Sequence, residues 1–220
     1  NYGYATDINF QKKNKKKIAA IIGDSYVEAL QLDNKKTFHG LLNQKMKDTV
    51  VYPFGVSGSQ LPQYLAFMKF AEENFNPEIY IFIIIENDFD ESWKQEKGRP
   101  GFHYFDKLGK LERVDYNPGF LKKILRNSAF LRYLHLDLKG TFQLKRIFNT
   151  ERTTLQNNNK NEKTVIEGFK AIDFFFKNVQ KITKQKKVIL LLDGDRRSIY
   201  SGYNQRNINY LPNIWFETLI

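Results

Sequence analysis

The stretch Ile18-Ala-Ala-Ile-Ile-Gly-Asp-Ser-Tyr26 decides how this chain is read. Residues 18–22 are all apolar, the pattern of a short strand buried on both faces. The run stops at Gly23, and Asp24 and Ser25 follow at a turn. From Tyr26-Val-Glu-Ala-Leu30 onward the sequence can become helical. A strand, a turn and a helix with Ser25 at the corner hold a hydroxyl above the carboxyl edge of a sheet, where open α/β folds bind ligands. Backbone N–H groups at the start of such a helix point to the same place. The plainer reading is that Asp24 or Ser25 simply caps the helix.

Working outward, the same rhythm repeats. Thr37–Met46 has helical spacing in Phe38, Leu41, Leu42 and Met46. Val50-Val-Tyr52 is a second short strand, and Pro53-Phe-Gly-Val-Ser-Gly-Ser59 is a turn region holding Gly55 and Gly58. Leu61–Phe75 reads as a helix with Leu65, Met68 and Ala71 inward, stopped by Asn76-Pro77. Ile79-Tyr-Ile-Phe-Ile-Ile-Ile85 is a third buried strand and ends at Glu86-Asn-Asp-Phe-Asp90. Val165–Thr183 repeats apolar residues at helical spacing (Ile166, Phe169, Ile172, Phe176, Val179, Ile182), and Lys187–Leu192 is a further buried strand ending at Asp193. Residues 204–220 are mixed and helical near their end. Alternating strands and helices in this order predict an α/β domain, with a parallel sheet, right-handed crossovers and helices on both faces.

Residues 89–160 interrupt the rhythm. They contain Gly98-Arg-Pro-Gly101, a hairpin expected near 102–115, a helix expected from Phe120 to Leu138, and a polar stretch at Thr150–Glu162. A long excursion of this kind inside a domain is usually functional, and its apolar residues suggest a packed lid. The expected division is therefore a basic leader at 1–17 and an α/β domain at 18–220, with 89–160 inserted as a lid or cap. The first five residues read as an edge segment laid on the domain, and Lys12–Lys17 as a linker into the first strand.

The net charge is +11 over 220 residues, and it is concentrated. Five lysines fall in residues 12–17, and residues 89–160 hold 15 Lys and Arg against 8 Asp and Glu. Basic segments of this kind attract nucleic acid or anionic surfaces, or are solvated lysine-rich faces. There is no cysteine, which excludes disulfides and thiolate chemistry. No apolar run approaches the ~18 residues of a membrane span. No signal peptide is visible, so the compartment stays open between a bacterial envelope and the cytoplasm.

The residues after each strand of a parallel sheet meet at one edge. Here they are Gly23-Asp24-Ser25, Phe54–Ser59, Glu86-Asn87-Asp88 and Asp193-Gly-Asp195. A hydroxyl, a glycine turn with N–H groups and a carboxamide are the parts of acyl transfer. On these residues the chain resembles the SGNH (GDSL-like) hydrolase family. Gly23-Asp24-Ser25 matches its first block, Gly58 the glycine of its second, and Asn87-Asp88 its third, in the family's order and each after an apolar strand. The resemblance covers residues 18–90 well and the strand at 187–192 loosely. The insert is not covered.

The resemblance implies a three-layer α/β/α sandwich on a flavodoxin-like sheet, and an ester hydrolase or acyltransferase working through an acyl-Ser25 intermediate. Ser25 would be the nucleophile. The Ser25 and Gly58 N–H groups and the Asn87 amide would form the oxyanion hole, with Asp24 and Asp88 supporting the loops. The family acts on acylated carbohydrates of bacterial envelopes and on lipid esters, and implies no cofactor or metal. Its last block, Asp-x-x-His, is missing: none of His39, His103 and His135 has an Asp three residues before it. The chain is therefore expected to be a fragment, with that block beyond Ile220.

Each residue also has a plainer reading. Gly55 and Gly58 can be turn glycines, and Asn87 a strand-end turn residue. Glu86, Asp88 and Asp90 offer oxygen ligands to a cation, but solvated acids at a strand end are common. His39 reads as a surface or boundary histidine. His103 and His135 lie in the insert, from which a histidine could reach over the site, but a candidate base must first satisfy geometry. Asp193-Gly-Asp195 resembles the first motif of haloacid-dehalogenase-type phosphatases, but Arg197 stands where that motif wants Thr or Val. Arg196 and Arg197 can grip an anionic part of a substrate or form a structural salt bridge. Two other functions fit the composition. One is a non-catalytic carbohydrate- or polymer-binding module on the same fold. The other is nucleic-acid binding through the basic insert, for which no motif is present.

Overall fold

A computed structural model describes residues 2–85, 87–93, 98–120 and 162–193, together with 123, 127 and 129. Residues 1–114 with 161–220 form one compact unit and residues 115–160 another. The strands are β1 (Lys17–Gly23), β2 (Thr49–Gly55), β3 (Ile79–Ile84), β4 (His103–Phe105), β5 (Leu111–Arg113) and β6 (Lys187–Leu192). The helices are α1 (Ser25–Glu28), α2 (Phe38–Lys45), α3 (Leu61–Phe75), α4 (Asn87–Asp90) and α5 (Glu162–Thr183).

The sheet is parallel, in the order β2-β1-β3-β6. The second strand lies outside the first and the later strands follow on its other side, the flavodoxin-like order. Strand periodicity explains why the runs are continuously apolar. Ala20, Ile22, Tyr52, Phe54, Tyr80 and Phe82 face one layer, with α3 and α5 residues. Their sequence neighbours Ala19, Ile21, Val51 and Ile81 face the other, with Leu42 of α2 and Met46 just after it. The chain is thus an α/β/α sandwich with bulky aromatics toward the two long helices and small aliphatics toward the short one.

The sequence expectations hold for α3, where Leu65, Met68 and Ala71 are fully buried. Asn76 ends that helix in a left-handed conformation. Three expectations need correction. The helix after Ser25 is a single turn. Ala29 adopts a left-handed conformation there, and Leu30 and Leu32 are exposed. Local side-chain bonds take over downstream, with Asp33 accepting from Lys35 N–H in a 3-10 turn. On α5 the fully buried stripe is Ala171, Ile172, Phe175 and Val179, with Phe169, Phe176 and Ile182 partly buried against the same core; of the apolar residues read off the sequence, Ile166 is the exposed one. Finally, β6 pairs only with β3 among the described residues and is half exposed, not buried.

Two segments outside the regular rhythm pack onto this unit. Phe10 stacks on Tyr52 with ring centroids 4.4 Å apart and meets Phe75 edge-on at 5.5 Å. Tyr4 meets Phe54 edge-on at 5.1 Å, so residues 2–10 lie on the domain as an aromatic strap. The hairpin expected near 102–115 is β4-β5. It is part of the sheet's unit: Phe105 is fully buried and joins its core, with Trp93 packed against it. The helix expected at 120–138 lies mostly, and Thr150–Glu162 and 204–220 almost wholly, outside the described residues. No described helix is long and apolar enough to cross a membrane.

Candidate active site

The site grows from two glycines. A Cβ at Gly55 would lie 2.6 Å from Val27 Cβ and 2.7 Å from Glu28 N, and one at Gly23 2.5 Å from a Val27 methyl. Only glycine at the ends of β1 and β2 lets the α1 turn settle this close, with Val27 buried between the strand ends. That places Ser25 at the carboxyl edge, half buried.

The N–H groups of this turn have been almost entirely claimed. Asp24 caps it: its carboxylate accepts from Tyr26 N–H at 3.0 Å, and its carbonyl accepts from Val27 and Glu28 N–H at 3.2 and 3.0 Å. Among the described residues, Ser25 N–H is left without an acceptor. The Ser25 hydroxyl donates to the other Asp24 oxygen at 3.3 Å.

The second loop is a reverse turn closed by Ser59 N–H on the Val56 carbonyl at 3.0 Å. Gly58 stands at its third position with φ +80°, as a type II turn requires. Its N–H also has no acceptor among the described residues. Glu28, on the turn that carries Ser25, holds this loop through Ser57, whose N–H donates to its carboxylate at 2.7 Å and whose hydroxyl also donates. The two loops are therefore one assembly.

The third loop, after β3, brings Asn87 exposed and Asp88 fully buried. Asp88 accepts from Ile85 N–H and from the Tyr64 hydroxyl, both at 2.9 Å, through one oxygen, while its Oδ1 has no partner among the described residues. Burial pushes its carboxyl well above the usual range. The Ile85 and Tyr64 donors oppose this, and the nearby carboxylates of Asp24 and Glu91 add to it. Tyr64 is raised as well, by burial and then by Asp88 and Asp24. The buried floor of the edge is thus a coupled group of two carboxyls and a phenol.

Neither described histidine, His39 nor His103, hydrogen-bonds Ser25. His39 is fully buried, not at the surface. Its Nε2 hydrogen-bonds Asn34 Oδ1 at 2.9 Å, and its Nδ1 has no partner. The half-turn capped by Asp33 and the start of α2 close over it. His103 sits on β4, with its N–H and Nδ1 both on Gln63 Oε1, at 2.9 and 3.0 Å. Gln60 donates to its carbonyl at 3.0 Å. Burial lowers the pKa of both rings; Arg113 and Lys69 lower His103 further, while Asp7 partly offsets the effect at His39. Asp193 N–H bonds the Ile84 carbonyl at 3.0 Å, bringing the end of β6 to the same edge. Glu86, His135, Asp195, Arg196 and Arg197 lie outside the described residues, as does the Asp90 side chain. No cluster of three His, Asp or Glu suited to a metal occurs among the described residues.

Sequence reasoning missed Glu28, Tyr64 and Arg99. The Arg99 guanidinium lies against Gly58, so close that a Cβ there would come 1.4 Å from Nη1. The signal available was a cation between two glycines in Gly98-Arg-Pro-Gly101.

No protein-family profile matches the chain, and no curated protein matches it in sequence. Among solved structures it is similar to TesA, at 13% identity over 91% of this chain and 72% of that one, with a TM-score of 0.42. It is also similar to a mutant of the esterase AlinE4, at 13% identity over 94% and 99% of the two chains, with a TM-score of 0.34. These likenesses are too distant to transfer a residue or an activity.

Proposed function

We propose that this chain is a serine ester hydrolase that works through an acyl-Ser25 intermediate, with an acylated small molecule or carbohydrate as substrate. The observation that carries the reading is the pair of N–H groups, Ser25 and Gly58, left without an acceptor among the described residues, on two loops that Glu28 ties together beside the Ser25 hydroxyl. In a turn where every other N–H is satisfied by Asp24, a donor left over next to a nucleophile is what an oxyanion requires. In this reading the Ser25 Oγ attacks the acyl carbonyl, and the oxyanion is held by the two N–H groups and the Asn87 amide. The alcohol leaves with a proton, and water then cleaves the acyl-serine. In the resembled family a histidine takes the serine proton. Neither His39 nor His103 bonds to Ser25, whose hydroxyl donates to Asp24.

The test is Ser25→Ala in the full-length protein with 4-nitrophenyl acetate. Loss of at least about 10³-fold in turnover is expected. A variant that hydrolyses the ester at the parent rate removes Ser25 from the reaction. The Ser25–Asp24 bond favours one rival, a non-catalytic carbohydrate-binding module on the same edge. That reading predicts a parent that turns over no ester yet binds sugar, with affinity insensitive to Ser25→Ala.

A further inference from the structure

Arg99 is held at both ends. Its backbone N–H donates at 2.9 Å to the hydroxyl of Tyr104, which is buried, and its carbonyl accepts from Phe102 N–H at 3.2 Å. The hairpin that follows is fastened to the start of α3 through His103, by Gln60 and Gln63. Gln60 is two residues beyond Gly58, so the strand that positions Arg99 and the turn that carries Gly58 share one anchor. From there the side chain reaches the Gly58 turn and ends exposed against it. Among the described residues no carboxylate lies within ion-pair distance of the guanidinium.

Among the described residues the guanidinium has no counter-charge, and it is packed on the turn whose N–H is assigned to the oxyanion, so an anion held by Arg99 would lie beside the scissile acyl group. A guanidinium presents its N–H groups in a fixed fork that matches the paired oxygens of carboxylate and phosphate. We propose that Arg99, seated against the Gly58 turn, forms an anion subsite next to the oxyanion position, and that the substrates of this site are esters bearing a carboxylate or phosphate close to the scissile acyl group. The proposal rests on the esterase reading for its substrate class, but anion binding at Arg99 does not need that reading.

The experiment separates the two. In the full-length protein, kcat/KM is measured for 4-nitrophenyl acetate, for mono-4-nitrophenyl succinate, and for a phosphorylated sugar carrying one O-acetyl group. Arg99→Ala should lower the ratio of anionic to neutral ester by about 10- to 100-fold, the range of a charge-assisted bond. Arg99→Lys should recover part of it, and the parent's preference should weaken with salt. A fall confined to the succinate or to the phosphate ester says which anion the subsite takes. An unchanged ratio overturns the proposal. Binding of methyl hemisuccinate and methyl phosphate, followed by NMR, supplies the second arm. Arg99-dependent binding in a protein that hydrolyses no ester keeps the subsite and removes the esterase reading. Binding unaffected by Arg99→Ala removes the subsite.

Discussion

The aromatic interior and the floor of the carboxyl edge both hold fully buried side chains and are built on opposite terms. In the interior, Phe75 is packed edge-on or tilted against Tyr2, Phe10, Tyr52, Phe54 and Phe70, with no polar atom to satisfy. At the edge, Asp88, Ser59 and Gln60 are fully buried and each keeps a polar atom without a partner among the described residues. The interior gains from every contact, because ring pairs add to area burial. The edge gives up stability at each orphaned atom, by about 1–3 kcal/mol where burial is complete. Native folds tolerate such losses where a site needs them. The difference is what the proposed site at the edge would require, and it does not depend on any sequence motif.

The comparison breaks most readily in the interior. Phe75→Ala deletes the ring on which α3, β2 and the strap converge, and its 2% exposure leaves no room for the site to relax into solvent. A loss of about 3–5 kcal/mol is expected from the urea midpoint. A cost near 1 kcal/mol would mean that the strap and α3 re-close over the gap, and that the interior is less committed than its ring geometry indicates.

How much of this was legible beforehand follows from the same contrast. The four strands of the sheet, α3 and the order of elements were readable because burial on both faces writes continuous apolar runs, and helical burial writes a period. Ser25, Gly58 and Asn87 were readable as candidates because they follow those runs. Three things were not written locally. The single turn at 25–28 depends on Gly55 admitting Val27, a contact between residues 28 apart in sequence. The burial of His39 depends on the turn capped by Asp33. Arg99 reaches Gly58 only through the fastening of β4 to α3, which no periodicity encodes. The strap was half legible: an edge segment was expected of Tyr2 and Tyr4, while Phe10 looked like part of a polar leader.

A smaller effect sharpens the edge. Gly58 at φ +80° occupies a conformation that costs an L-residue about 1–2 kcal/mol, so Gly58→Ala should lose at least that much stability, and its methyl would also displace the Arg99 guanidinium. Gly3, at φ +89° in the strap with nothing within 4 Å of where a methyl group would sit, provides a matched backbone penalty away from the edge. Gly58→Ala should lower ester turnover well beyond Gly3→Ala at equal stability loss. Equal turnover for the two variants would make Gly58 a turn residue and nothing more.

The smallest effect in energy carries the clearest sign. The folded-state pKa of Asp88 lies above its unfolded value of about 3.9, chiefly through burial. A raised pKa means that the folded state holds the proton more tightly than the unfolded chain does. The stabilising contribution is therefore complete below about pH 4 and is lost as pH rises through the folded pKa. Asp88→Asn keeps an oxygen for Ile85 N–H and the Tyr64 hydroxyl and cannot ionise. The amide nitrogen takes the place of an oxygen that already lacks a partner. The variant should match the parent within about 1 kcal/mol at pH 4. It should then gain on the parent as pH climbs toward 8, flattening the stability profile measured by urea unfolding. Parallel profiles would show that Asp88 ionises freely in the folded protein, relieved by a partner for Oδ1. In that case the edge would be as well satisfied as the interior, and the contrast between the two regions would no longer point to a site.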